Sequence, residues 1–208
     1  MSVLVLRLAG PLQSWGDDSR YERRETRREP SKSGVLGLLA AAQGRRRTDP
    51  VEDLMNLRFG VRVDQPGTVL TDYQTVHVNG YEKPPKLTYR QYVADAAFVA
   101  AVEGDKTLIN SLAEAIQQPA FIPFLGRRSC PVEGQILLGV ESSDVRTALD
   151  KQAWVASAWH RQRQPTRVTL DAFADAEPGE PAERRHDNPG SFASDDRRYA
   201  VRSVARFT

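Results

Sequence analysis

The chain has a single cysteine, Cys130. A lone thiol forms no intrachain disulfide and builds no cysteine-based zinc site, which suits a reducing compartment. Histidine is nearly as scarce. His77, His160 and His186 are scattered, without the spacing of metal ligands. Neither a phosphate-cradling GxxxxGK[ST] loop nor a GxGxxG dinucleotide fingerprint occurs. No cofactor and no metal are therefore expected, and no residue is assigned a catalytic role. Long apolar runs are missing too: the longest, residues 35–42, contains Gly37 and is too short to cross a bilayer. Residues 1–8 are apolar but carry Arg7 and lack a signal-peptide layout, so a cytoplasmic location without a membrane partner is expected. Charge of one sign is also absent. Lys and Arg number 29 against 27 Asp and Glu, a net +2, which excludes a general polycation.

What is present is arginine. Of the 29 basic residues, 24 are Arg and 5 are Lys. The guanidinium pairs with phosphate through two parallel hydrogen bonds and stacks on bases; a GC-rich genome raises Arg in the same way. The 208 residues, 40% hydrophobic, suffice for one sizeable domain with a packed core.

Hydrophobic periodicity gives the element order. Residues 3–8 read as a buried strand ended by Gly10-Pro11. Residues 10–30 are irregular and charge-dense. A helix capped by Ser31 or Ser33 carries Val35, Leu38, Leu39 and Ala42 and stops at Gly44. Residues 57–63 form a second strand. Residues 67–78 and 87–93 form a hairpin with its tip near 80–85, and 94–103 a third core strand. Asp105 caps a helix bearing Leu108, Ile109, Leu112 and Ile116, closed by Pro119. A strand at 136–140 and a short helix at 143–149 follow. Residues 171–196, rich in Pro, Glu, Asp and Arg, read as a mobile loop. Residues 198–207 alternate, with Tyr199, Val201, Ala205 and Phe207 on one side and Arg198, Arg202 and Arg206 on a basic face. The order strand–helix–strand, strand–helix–strand is the α+β, ferredoxin-like plan that underlies RRM-like RNA-binding modules.

Four constellations carry candidate chemistry. Residues 20–33, RYERRETRREPSKS, lead into a helix start, where free N–H groups suit phosphate. Arg27, Arg28 and Lys32 add charge, and Gly34 and Gly37 permit close backbone approach. The interleaved Glu22, Glu25 and Glu29 equally fit a solvated loop. Gln13, Ser14 and Trp15 follow the first strand; there the indole either stacks a base or lids the core. The hairpin holds Tyr73, Tyr81, Tyr89 and Tyr92 with Arg90 between the last two. Such a ribbon clamps single-stranded RNA or forms a protein contact. Residues 126–131, GRRSCP, place Arg127 and Arg128 on a glycine turn, which is also compatible with an ordinary basic turn around a buried apolar cysteine.

Residues 6–16 (LRLAGPLQSWG), 30–44 (PSKSGVLGLLAAAQG), 71–76 (TDYQTV), 90–98 (RQYVADAAF), 124–131 (FLGRRSCP) and 191–201 (SFASDDRRYAV) together resemble the CasD-type subunits of subtype I-E CRISPR Cascade complexes. The resemblance runs, in order, along nearly the whole chain. It implies one ferredoxin-like domain of the RAMP superfamily over 1–208, with an inserted β-hairpin thumb at about 68–93 and additional C-terminal strands. It implies a non-enzymatic subunit of an antiviral ribonucleoprotein that binds the 5′ handle of the CRISPR RNA. The subunit contacts a CasC-type backbone subunit and a CasA-type large subunit, and meets target DNA only through the assembled complex. Handle contacts implied are Gln13, Ser14, Trp15, Ser31, Lys32 and Ser33, with Arg127 and Arg128 as a second contact and Tyr73, Arg90 and Tyr92 on the thumb. Two other readings stay open: a sequence-specific, metal-independent endoribonuclease that matures the precursor RNA, and a protein-only adaptor.

Overall fold

The computed structural model describes residues 1–16, 23–77, 84–193 and 195–207. In chain order they form β1 (Ser2–Gln13), β2 (Arg23–Arg24), α1 (Lys32–Ala42), α2 (Glu52–Met55), β3 (Arg58–Gln65), β4 (Thr68–Val76), β5 (Lys86–Gly104), α3 (Lys106–Gln117), β6 (Leu137–Glu141), α4 (Val145–Lys151), α5 (Ala158–Gln162), β7 (Ala172–Asp175), β8 (Glu183–Ser191) and β9 (Arg198–Phe207). Arg20 and Tyr81 lie outside the described residues, as does most of the hairpin tip.

A strand apolar on both of its faces must be covered on both, and β1, apolar at residues 3–6, is. Leu4, Leu6 and Leu8 enter the larger core, with Phe98, Ala100 and Val102 of β5 beside them. Val35, Leu36 and Leu39 of α1 and Ile109, Leu112 and Ile116 of α3 close that core. The alternate residues Val3, Val5, Val99 and Ala101 point to the other face and meet Val145, Ala148 and Leu149 of α4. The strands run β6-β1-β5-β3-β7-β9-β8, with β2 and β4 also paired to β5. The central neighbours β6-β1, β1-β5 and β5-β3 are all antiparallel.

Both long helices start on side-chain caps. Ser31 Oγ accepts from the Gly34 amide at 3.3 Å, and an Asp105 carboxylate oxygen accepts from the Thr107 amide at 2.8 Å. The hairpin arm and the third core strand, expected as separate pieces, are one 19-residue strand, β5. Its outer half pairs with β4 from Thr68↔Ala94 to Val76↔Lys86. Where hairpin and core join, Asp95 takes a left-handed φ of 55°, and its carbonyl accepts from the Gln65 side chain at 2.6 Å.

The C-terminal third differs from the expected loop. Within 171–196, β7 pairs with β3 and with β9, and β8 pairs with β9. Pro189 is accommodated because β8 is an edge strand. The charges that read as solvated are paired inside. The Arg202 guanidinium donates to Asp187 Oδ1 at 2.6 Å and to Asp175 Oδ1 at 2.8 Å. Arg185 pairs with Glu29 at 2.8 Å. The basic face expected on β9 is thereby largely neutralised: Arg202 is buried between carboxylates, Arg206 pairs with Asp171 and Arg198 with Asp196. No helix among the described residues is long and apolar enough to cross a membrane.

Candidate nucleic-acid interface

The stretch after β1 is a structural junction. Trp15 is 1% exposed, and its indole N–H donates to Gln13 Oε1 at 3.0 Å. Gln13 is itself buried, and its amide donates to the carbonyls of Ala96 at 2.8 Å and Leu8 at 3.3 Å. The space left at Gly34 is filled by this indole; a Cβ there would lie 2.8 Å from Trp15 Cε3. Near Gly37 the neighbour is the Phe192 ring. The two glycines thus admit aromatic side chains to α1. Gln13 and Trp15, expected as handle contacts, belong to the core and have no free face for a base.

The helix start differs from expectation for an electrostatic reason. Ser31, Lys32 and Ser33 are all buried, and the Lys32 amide donates to Asp187 Oδ2 at 2.8 Å. A carboxylate of the chain itself takes the place at the N-terminus of α1 that suits an anion. The Lys32 ammonium, 4% exposed as a residue, donates to the Met55 carbonyl at 3.2 Å and lies 3.6 Å from Asp175. Burial pushes its pKa down, against the pull of Asp175. The phosphate site expected here is internally filled.

The segments beside this junction face outward. The Trp15 amide donates to Thr26 Oγ1 at 2.7 Å, and the Arg27 amide donates to the Trp15 carbonyl at 2.9 Å. The Ser14 amide donates to Leu125 O at 3.0 Å. Residues 23–28 and loop 124–131 are therefore both tied to residues 14–15. Ser14 is buried, its hydroxyl donating to Gln91 O at 3.3 Å. Arg127 joins the pieces: its guanidinium donates to Gln91 O at 3.0 Å and Arg24 O at 2.9 Å and lies 4.7 Å over the Tyr92 ring. Arg28 and Arg128 are exposed, and Arg27 is half-buried.

The root of the hairpin completes the arrangement. β2 runs parallel to β5, with Arg23 beside Tyr89 and Arg24 beside Arg90. Arg23, Arg24, Glu25, Thr71, Tyr89 and Gln91 line an open cleft of about 230 Å³. Tyr73, 64% exposed, meets Tyr89 edge-on at 5.2 Å, and Arg23 lies 5.9 Å over Tyr89. Tyr92 faces the other way and is buried under Arg127, and Arg90, two residues before it on β5, is half-buried; of the three expected hairpin contacts only Tyr73 is well exposed. Arg90 Nε is buried and has no hydrogen-bond partner among the described residues. Arg23, Arg24, Thr71 and Gln91 were not singled out in the sequence; the arginine density of residues 20–28 was the available signal.

Loop 124–131 closes as a tight turn, with Leu125 N donating to Cys130 O and Cys130 N to Arg127 O, both at 2.8 Å. Burial pushes the Cys130 thiol pKa up, as befits a small apolar core residue and not a nucleophile. Gly126 sits at φ +84°, and a Cβ there would lie 1.7 Å from Ser14 O. Gly126→Ala is expected to cost about 2–4 kcal/mol, from left-handed strain plus displacement of the loop. Gly179 has a φ of +83° with nothing within 4 Å of its Cβ position. Gly179→Ala isolates the backbone part and is expected to cost about 1 kcal/mol. Equal thermal shifts for the two variants would show that loop 124–131 does not press on Ser14.

Among the described residues no group of three or more His, Cys, Asp or Glu is placed to hold a metal ion. The arrangement is one of outward arginines, tyrosine faces and fixed backbone, which suits phosphates and unpaired bases.

Comparison with known proteins agrees in kind. Residues 3–205 match the family described as CRISPR-associated protein (Cas_Cas5). The chain is 37% identical over 169 residues to the CRISPR system Cascade subunit CasD of Escherichia coli (strain K12), covering 71% of this chain and 75% of that one. A chain of a CRISPR RNA-guided surveillance complex superposes with a TM-score of 0.82 at 32% identity, over 99% of this chain and 89% of that one. A solved Cas protein superposes with a TM-score of 0.79 at 35% identity, over 99% and 93%.

Proposed function

This chain belongs to the Cas5 family of CRISPR-associated proteins, and on that premise we propose that it is a non-catalytic RNA-binding subunit of a CRISPR antiviral surveillance complex. Its ligand is the 5′ handle of the CRISPR RNA, and its site is the arginine-lined surface around the hairpin root. The observation that carries this reading is that β2 lays Arg23 and Arg24 along β5 into the cleft beside the tyrosine pair, with Arg127 tying that segment down through the Arg24 carbonyl. Arg28 and Arg128 contact phosphates from the rim, with Arg27 beside them. Ser14 and Trp15 act from beneath, their backbone holding residues 23–28 and loop 124–131, while Gln13 serves the core and Ser31, Lys32 and Ser33 the buried start of α1.

The antiparallel order β6-β1-β5-β3, with α1 and α3 on one face, supports a ferredoxin-like core. The β4–β5 hairpin, almost wholly exposed along β4, supports a thumb whose Tyr73 face is open to RNA or to a neighbouring subunit. We assign the whole chain to one RAMP-type domain. The neighbours proposed are a CasC-type backbone subunit and a CasA-type large subunit in the cytoplasm, with target DNA met through the assembly.

Incubation of the pure protein with end-labelled repeat RNA in EDTA is expected to give no cleavage at a defined position. Clean cutting at one phosphodiester, abolished by His77→Ala or His160→Ala, would overturn the non-catalytic assignment in favour of a maturation nuclease.

A further inference from the structure

Between Asp150 and Asp171 the chain has no carboxylate side chain, while it carries Lys151, Arg161, Arg163 and Arg167. Two of its three tryptophans, Trp154 and Trp159, fall in the same stretch. The proposed handle site uses none of these residues. The stretch follows α4 and includes α5.

The segment is seated on a fixed base. Arg62, buried and paired with Asp64 at 2.8 Å, donates to the carbonyls of Leu149, Gln152 and Ala153 at the end of α4. The Trp154 indole N–H donates to Asp64 O at 2.8 Å, and the Val155 amide to Asp64 Oδ2 at 2.7 Å. Ser157 donates to Gln65 Oε1 from its amide at 3.0 Å and from its hydroxyl at 2.8 Å. The same Gln65 side chain donates to Asp95 O, so this base adjoins the junction of core and hairpin on the β3 side. The carboxylate of Asp64 is spent on Arg62 and Val155, so the buried acid beneath the segment does not neutralise the cations above it.

Above the base, Trp159 is 45% exposed. Arg163 lies 5.1 Å over its ring, and His160 packs edge-on against both indoles. Arg161, Arg163 and Arg167 are exposed and have no carboxylate partner among the described residues. A folded-protein partner fits poorly, because Trp159 is the one large apolar side chain exposed here and its neighbours Gln162, Gln164 and Thr166 are polar. Unopposed arginines around an aromatic ring match a negatively charged backbone with stackable bases.

We propose that residues 154–167 form a second contact surface for single-stranded nucleic acid, with Trp159 as the base platform and Arg161, Arg163 and Arg167 on successive phosphates. The surface is independent of the handle site.

The test uses the full chain and two unstructured probes, a labelled dT20 and a labelled rU20, with no handle sequence. Binding is expected to quench tryptophan fluorescence, and Trp159→Phe to remove most of that quench. Arg161→Ala/Arg163→Ala/Arg167→Ala is expected to weaken the tighter-binding probe at least tenfold. It should also lower the slope of log affinity against log salt by about 2, three phosphates at about 0.7 each. Tighter binding of rU20 assigns RNA as the source, and tighter binding of dT20 assigns DNA. An unmoved affinity and slope in the triple variant, with an unchanged thermal melt, would overturn the proposal. So would equal competition by polyglutamate of the same charge, which would assign the patch to an acidic protein. Because the probes lack the handle, failure here leaves the handle reading standing, and failure of that reading leaves this one standing.

Discussion

Asp187→Ala is expected to remove about 3–5 kcal/mol of stability, the penalty for stranding a buried charge partner. For a chain of this size that lowers the thermal midpoint by roughly 6–20 °C. The carboxylate is fully buried and accepts from the amide of Lys32 and from two nitrogens of Arg202. Its removal leaves the Lys32 amide at the start of α1 without its acceptor, leaves Arg202 with Asp175 alone, and cuts the polar link between β8 and α1. Asp187→Asn retains one acceptor oxygen, so a smaller loss is expected.

The pH dependence follows from the same cluster. Burial raises the Asp187 pKa, but the hydrogen bond and charge of Arg202, with the Lys32 amide and Arg185, outweigh it and hold the carboxyl below its ordinary value. A carboxyl depressed in the folded state contributes stability above its unfolded pKa, near 4, and that contribution disappears as pH falls through the folded value. The wild-type chain is therefore expected to lose stability steeply below about pH 4. The Asn variant starts lower and falls less over that interval. Parallel acid melts of the two proteins would contradict the assignment.

This cluster also marks where sequence reasoning ends. Periodicity and capping chemistry are local, so the strand in β1, the cap Asp105 and the apolar stripe of α3 could be read directly, and the cap of α1 narrowed to Ser31 or Ser33. The partner of the α1 N-terminus could not. Asp187 is far along the chain in a stretch whose Pro, Glu, Asp and Arg content resembles a loop, because pairing among Asp175, Arg185, Asp187 and Arg202 substitutes for apolar burial there. The candidate site divides in the same way. The arginines of 23–28 and 127–128 stood out by density and turn chemistry, and they are the side chains the fold turns outward or aligns along the hairpin root. Gln13, Trp15 and Lys32 carry groups that suit RNA as well, but long-range packing turns them inward: Trp15 onto Gly34, Gln13 onto the carbonyl of Ala96, and Lys32 toward Asp175.

The same division yields the test with the largest expected effect on binding. Arg28→Ala with Arg128→Ala should weaken binding of a labelled 5′-handle RNA by about 1–3 kcal/mol per lost phosphate contact. The slope of log affinity against log salt should fall by about 1.4, two phosphates at about 0.7 each. Both side chains are exposed, so the thermal melt should hardly move. Lys32→Met removes one positive charge from the buried helix start, where the ammonium is already held by Asp175 and the Met55 carbonyl. That variant should leave the salt slope unchanged. Arg127→Ala should act on both quantities. Its guanidinium spans Gln91, Arg24 and the Tyr92 ring, so its loss frees residues 23–28 from loop 124–131 as well as removing a cation. If the slope instead falls with Lys32→Met and stays fixed with the Arg28/Arg128 pair, the RNA lies over the α1 start. Asp187 would then have to swing away to admit it.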